Sequence, residues 1–228
     1  MEANYLTFRY WLIRGLKTYK RHFKLLLIVA FIFFIYWWIG RGLSYLPYRF
    51  LSIVFSVIVG PPLISGFYFF CLILAREKRA TSQDFLLGFS NFSRIWLTNF
   101  FYTLIIMVGM ILLIIPGIVW GLKYSLCLII ALDKKLSPTQ AIKLSGKITQ
   151  GYKAKLFLLS IPSIACGILL LPFDFAFQEP IQNWSIVFIL IGVALHFISS
   201  FFVTPWMFTA WSIAYDSLIK QYEETNIA

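Results

Sequence analysis

A chain of 228 residues with 60% apolar and only 13% charged residues departs from the ~50% apolar and ~25% charged composition of soluble domains. A unit this small has too much surface to hide that much hydrocarbon from water, so lipid must be its solvent and a soluble globular domain is excluded. The net charge of +11 is spread between apolar runs with no separate basic domain, which argues against a nucleic-acid partner.

Residues 1–24 form a basic, aromatic arm. Leu12, Leu16, Tyr19 and Phe23 recur at helical spacing, with Arg14, Lys17, Arg21 and Lys24 beside them. Such a helix is expected to lie flat in the headgroup region, bases toward anionic lipid. The first apolar run covers residues 25–40 and ends in Tyr36-Trp37-Trp38 with no small-x-small cleavage pattern, so it is expected to stay as an anchor. Further runs of spanning length cover residues 50–75, 95–115, 117–132, 156–173 and 184–219. The fourth is short. The sixth would reach roughly 50 Å at 1.5 Å per residue, so it either protrudes or bends at Thr204-Pro205, where a backbone hydrogen bond is lost. Residues 220–228 are a polar tail. The expectation is one all-α integral membrane domain over residues 1–228, with its six-span bundle at residues 25–219.

Every lysine and arginine except Arg41, Arg49 and Lys123 falls in the arm, the second-to-third connection, the fourth-to-fifth connection or the tail. Basic connections stay cytoplasmic, which predicts both termini inside. Trp37, Trp38, Tyr45 and Trp184 then belong to the outer interface.

Two connections carry helices of their own. Ser137 and Gln140 form a capping box, Pro138 fits the first turn and Gly151 suits the helix exit. Ala141, Leu144, Ser145 and Ile148 share one face, with Lys143 and Lys147 as a basic stripe beside it. Residues 82–93 form a weaker case, capped at Thr81 or Ser82. Gly15, Gly88 and Gly146 sit similarly near the ends of the three short helices. Each returning span carries a proline with a small residue five positions later: Pro61 with Gly66, Pro116 with Gly121, Pro205 with Ala210. The pattern suggests three repeated units of short helix plus hairpin; the common use of proline and small residues in packed membrane helices is the other explanation.

Several features admit two readings. Gly60-Pro61-Pro62 is a packing kink or a broken-helix site of the kind transporters use; the kink is preferred. Gly117-x-x-x-Gly121 offers close helix contact, chiefly within the chain. Lys123, about 9 Å into the fourth span at 1.5 Å per residue, either snorkels to the outer interface, pairs with Asp174 or Glu179, or touches a substrate. His196 is the sole histidine within a span and reads as a packing residue. With His22 the only other, and Cys71, Cys127 and Cys166 isolated, neither a metal site nor a catalytic triad assembles. No acid lies at the centre of a span, which counts against ion-coupled transport, and no motif for a cofactor or enzyme reaction appears.

Ile115-Pro116-Gly117-Ile118, Lys123-Tyr124 and the stretch Ser137-Pro138-x-x-Ala141-Ile142-Lys143-Leu144-Ser145-x-x-x-Thr149-x-Gly151 resemble the uncharacterised bacterial inner-membrane proteins of the YciC type. They also resemble the membrane domain fused to some glycerophosphoryl diester phosphodiesterases. The likeness covers the middle and second half of the chain, and Lys147 and Ile148 depart from the pattern. It implies a six-helix bundle in a bacterial cytoplasmic membrane and carries no catalytic residues, the fused relatives' activity belonging to a separate soluble barrel. The expected role is that of a non-enzymatic membrane protein contacting anionic lipid through Arg14, Lys17, Arg21, Lys143 and Lys147, and holding lipid or another membrane protein. The alternative is a small transporter or channel for a solute or lipid, its path lined by Pro61, Pro62, Pro116, Gly117, Gly121, Lys123 and Pro205.

Overall fold

The computed structural model describes residues 4–44, 50–176 and 185–227, and among these short turns join helices and no strand occurs. The helices are α1 (Phe8–Arg21), α2 (Phe23–Ser44), α3 (Phe50–Ala75), α4 (Ser82–Ser90), α5 (Phe92–Leu112), α6 (Ile114–Tyr124), α7 (Cys127–Asp133), α8 (Pro138–Ile148), α9 (Lys153–Ala176), α10 (Ile186–Ile198) and α11 (Thr204–Ile227). Six segments are long and apolar enough to cross a membrane: Phe23–Ser44, Phe50–Ala75, Phe92–Leu112, Ile114–Asp133, Lys153–Asp174 and Ile186–Asn226. This is a multi-pass helical membrane protein. Tyr45, Arg49, Glu179 and Trp184, singled out from the sequence, lie outside the described residues.

The three returning spans each interrupt the regular backbone ladder, and in each a neighbouring helix takes up one freed carbonyl. Pro61 has no N–H to give the Val57 carbonyl one turn back; the Trp96 indole on α5 donates to that oxygen at 3.1 Å. The double proline therefore leaves α3 continuous, as a packing feature. Pro205 likewise orphans the Phe201 carbonyl, which accepts from the Tyr19 hydroxyl of α1 at 2.9 Å. The sixth span accommodates this loss through a π-helical turn at Ser199–Val203, just before the proline. The fourth span breaks between α6 and α7, where the Ser125 N–H turns to the Leu122 carbonyl. The Gly121 carbonyl so released accepts from Tyr102 at 3.1 Å. An uncapped carbonyl in hydrocarbon costs several kcal/mol, so these aromatic donors are conditions for the breaks to exist.

The short helices, expected to lie flat on lipid, each dock on a returning span. α4 doubles back along α3, where a Cβ on Gly88 would sit 2.0 Å from the Pro62 carbonyl oxygen and one on Gly66 2.1 Å from that of Phe85. Only Cα–H groups facing carbonyls allow this approach. α1 crosses α11 with Gly15 against Ala210, where an added Cβ would meet the Ala210 Cα at 2.9 Å, and Thr209 donates to the Gly15 carbonyl at 3.1 Å. α8 meets the end of α6, its Gly146 against Lys123 and Tyr124. Thus α4 and α8 sit on the returning spans that precede them, while α1, which has none before it, sits on the last. The three glycines aligned by spacing all mark these contacts. The buried face of α1 runs through Trp11, Gly15 and Tyr19, leaving Ile13 and Leu16 exposed, one step around the helix from the face read in the sequence.

Burial is uneven along the bundle. The largest cluster gathers α1, α7, α8 and the second half of α11 around Trp11, Ile130, Leu156, Tyr215 and Leu218. A second joins α2, α3 and α4, where the Phe67 and Phe208 rings stack at 4.4 Å. α3 is central, with most of its apolar stretch buried, whereas little of Lys153–Asp174 is. At the opposite end Ile111, Ile115 and Ile186 are 81%, 75% and 71% exposed. Exposure of that order along whole helices requires lipid around them.

Candidate functional site

The basic end, where α1, α8 and the second half of α11 gather, is fixed by a buried charged centre. Arg76, just past α3, grips Asp133 at the end of α7 through two nitrogens, at 2.6 and 3.1 Å, and donates to Asp216 of α11 at 2.7 Å. Tyr215 donates to Asp133 at 2.6 Å, and Lys220 pairs with Asp216 at 2.6 Å. Burial alone would favour the neutral guanidine, but hydrogen bonds and charge from Asp133 and Asp216 override it and raise the Arg76 pKa. Every strong donor and acceptor here is used, so the centre is a clamp on three returning spans. Nothing local in the sequence marks Arg76, Asp133 and Asp216 as partners, since they lie far apart along the chain.

A smaller centre lies at the other end. Arg41 of α2 bonds the Asp174 carboxylate of α9 at 2.7 Å and stands 4.8 Å from the Trp37 ring. His196 of α10 lies against the same ring, tilted, with centroids 4.7 Å apart, and faces two acceptors, the Gly192 carbonyl at 2.8 Å and Asp174 at 3.2 Å. His196 is thus a tether between spans, and Asp174 is engaged with Arg41 and His196.

Lys123 therefore does not pair with Asp174; it lies at the basic end, over α8. α6 is only eleven residues long, and its last turn ends over α8. The Lys123 carbonyl accepts from the Ser145 and Thr149 hydroxyls at 3.1 and 2.8 Å, which pins α8 beneath it. The predicted cap of α8 is present, the Ser137 N–H donating to Gln140 at 3.1 Å, and Gly151 exits with φ +83°. This geometry turns the face of α8 carrying Lys143 and Lys147 toward Lys123. Together with Lys153 at the start of α9 they surround a cavity of about 460 Å³, also lined by Tyr124, Ile142, Gly146 and Gln150. Gly146 makes the fit possible: a Cβ there would come within 3.1 Å of the Tyr124 ring and 3.2 Å of the Lys123 stem. No carboxylate lines the cavity, and among the described residues none of the four lysines forms an ion pair. Lys134 and Lys220, by contrast, are paired with Glu223 and Asp216.

The other sequence candidates fall elsewhere. Arg14 and Lys17 are exposed on α1, Arg14 donating to the Tyr10 hydroxyl. Arg21 is paired with Glu77 at 3.6 Å. Of the residues read as a possible path, Lys123 lines the lysine cavity and the other six are absent from its walls. Pro61 and Pro62 are buried in α3, and Pro205 opens α11. Gly117 meets Met110 and Gly109 of α5, an intramolecular contact, while Gly121 has only ordinary contact with Ile106 at 3.8 Å.

Lys153 is the functional candidate that the sequence reading missed. It had been counted only as one base of a connection, although its place two residues beyond the helix-ending Gly151 was a usable signal. No family model, curated protein or solved structure matches the chain.

Proposed function

We infer that this chain is a non-catalytic protein of the bacterial cytoplasmic membrane that holds anionic lipid headgroups at its basic end, and through them organises lipid or seats a partner membrane protein. The lysine cavity carries the reading: it gathers four cations from three elements, with no carboxylate in its lining among the described residues. Phosphate is the abundant anion of bilayer headgroups, and a basic cytoplasmic face attracts it. Lys123 belongs to this end, which strengthens the charge asymmetry behind an orientation with both termini inside. Kinship with the YciC-type proteins is part of the same proposal and rests on the quoted motif of α6 and α8, of which Lys123, Tyr124, Ile142 and Lys143 line the cavity.

The carbonyls freed at Val57, Gly121 and Phe201 all accept from Trp or Tyr side chains. Their capture favours lipid binding over a transporter that would need such carbonyls for its cargo. The test is native mass spectrometry of the protein from nanodiscs of mixed phosphatidylglycerol and phosphatidylcholine. Preferential retention of phosphatidylglycerol, reduced by Lys143→Gln with Lys147→Gln and by salt, is expected. Equal retention of both lipids would overturn the reading.

A further inference from the structure

We propose that the lysine cavity selects a ligand bearing two phosphate groups, such as a lipid with two phosphates in its head or a soluble diphosphate. The proposal rests on the headgroup reading and narrows it to a ligand class.

The argument starts from charge. A single phosphodiester carries one negative charge and would leave three of the four ammonium groups facing one another. Like charges gathered in one cavity repel, and lysine binds phosphate as a point charge, without the fork that lets one arginine hold two oxygens. Two phosphates a few ångströms apart match four point charges far better than one.

Placement comes next. Lys143 and Lys147 are one helical turn apart and project from the same face of α8. Lys123 stands across from them on α6, and Lys153 comes from α9. Cations therefore approach from separate walls of a space of about 460 Å³, which falls in the ~300–1,000 Å³ range of small-molecule sites and exceeds the needs of one five-atom phosphate. The walls are fixed: Ser145 and Thr149 hold the Lys123 backbone, and the Lys123 ammonium rests 5.1 Å from the Tyr124 ring. Lys153 also opens a 24-residue helix, whose first N–H groups add positive potential at the same mouth. The bases of α1 have no such enclosure: Arg14 and Lys17 are exposed, and neither lines this cavity.

The full chain in phosphatidylcholine nanodiscs would be titrated with diphosphatidylglycerol and with phosphatidylglycerol at equal total charge. Inorganic pyrophosphate and orthophosphate form a second pair, and binding is followed by native mass spectrometry. The expected result is about tenfold tighter binding of the two-phosphate member, or ~1.4 kcal/mol, in at least one pair. The preference should disappear in Lys123→Gln and in Lys143→Gln with Lys147→Gln, and persist in Lys78→Gln outside the cavity. Unchanged melting temperatures would show that the variants fold, and the doubly exposed Lys143/Lys147 pair guards against failure of Lys123→Gln. Preference in the lipid pair assigns a membrane ligand; preference confined to pyrophosphate assigns a soluble one and overturns the headgroup reading alone. Equal binding within both pairs, still lost in the variants, overturns the two-phosphate proposal and leaves headgroup binding standing. Binding without anion preference overturns both.

Discussion

The two charged centres use the same chemistry at opposite ends and do different work. Arg76, Asp133 and Asp216 join three returning spans, and the side chains of the two acids are only 9% and 12% exposed. Arg41, Asp174 and His196 join α2, α9 and α10, but Asp174 is 32% exposed, and the helices around it turn apolar faces outward. An ion pair holds structure in proportion to what else is buried with it. The basic end is packed around its clamp; the opposite end is a looser tether in lipid. A binding cavity built on the packed end inherits fixed walls, which is why the lysines of α6, α8 and α9 converge and the bases of α1 do not.

Breaking the clamp should give the largest effect. Asp133→Ala leaves Arg76 and Tyr215 short of a partner in a buried site, and uncoupling one member of such a pair costs about 3–5 kcal/mol. A large fall in melting temperature in detergent is expected, with loss of lysine-cavity binding because α7 leads directly into α8. A fall no larger than that of an exposed substitution would remove the clamp from the account.

Next come the backbone contacts. Gly88→Ala would drive a Cβ to 2.0 Å from the Pro62 oxygen and force α4 off α3; overpacking of this kind costs typically ~1–3 kcal/mol. Gly167→Ala in α9 has nothing within 4 Å of the added carbon and should leave the melting temperature unchanged. Equal effects at the two positions would show that α4 does not dock as described.

These contacts mark the limit of what the sequence reveals. Hydropathy placed the second span at Phe50–Ala75 without error, and the first, third and fifth within a few residues, because lipid reads composition along a continuous run. The capping box at Ser137 and the exit at Gly151 were legible because they are local. The break at Ser125 was not, since no proline announces it; the shortness of the fourth span was the only hint. The place of Lys123 at the basic end was hidden for the same reason: an unbroken span gives no sign that α6 ends over α8. The clamp was out of reach because Arg76, Asp133 and Asp216 lie far apart in the chain.

At the looser end, Asp174→Asn keeps a hydrogen-bond acceptor for Arg41 while removing the charge. Partly exposed pairs contribute about 0–1 kcal/mol, so a fall in melting temperature well below that of Asp133→Ala is expected. Matching falls would mean that both ends are equally fixed, and the contrast between them would fail.

The smallest effect is expected at His22, between α1 and α2. Burial lowers its pKa, the Arg21 charge lowers it further, and Glu77 opposes both. A histidine whose folded pKa lies below its unfolded value is held neutral by the fold. Its contribution is present above the unfolded value of about 6.5 and is lost as pH falls through that value toward the folded one, where the unfolded chain binds the proton first. Wild-type protein should therefore lose slightly more stability than His22→Gln between pH 7.5 and pH 5.5, measured as the difference in melting temperature. Glu77→Gln removes the opposing charge and should widen that difference. An unchanged or reversed difference would place the α1–α2 junction with the open end of the molecule rather than with the packed one.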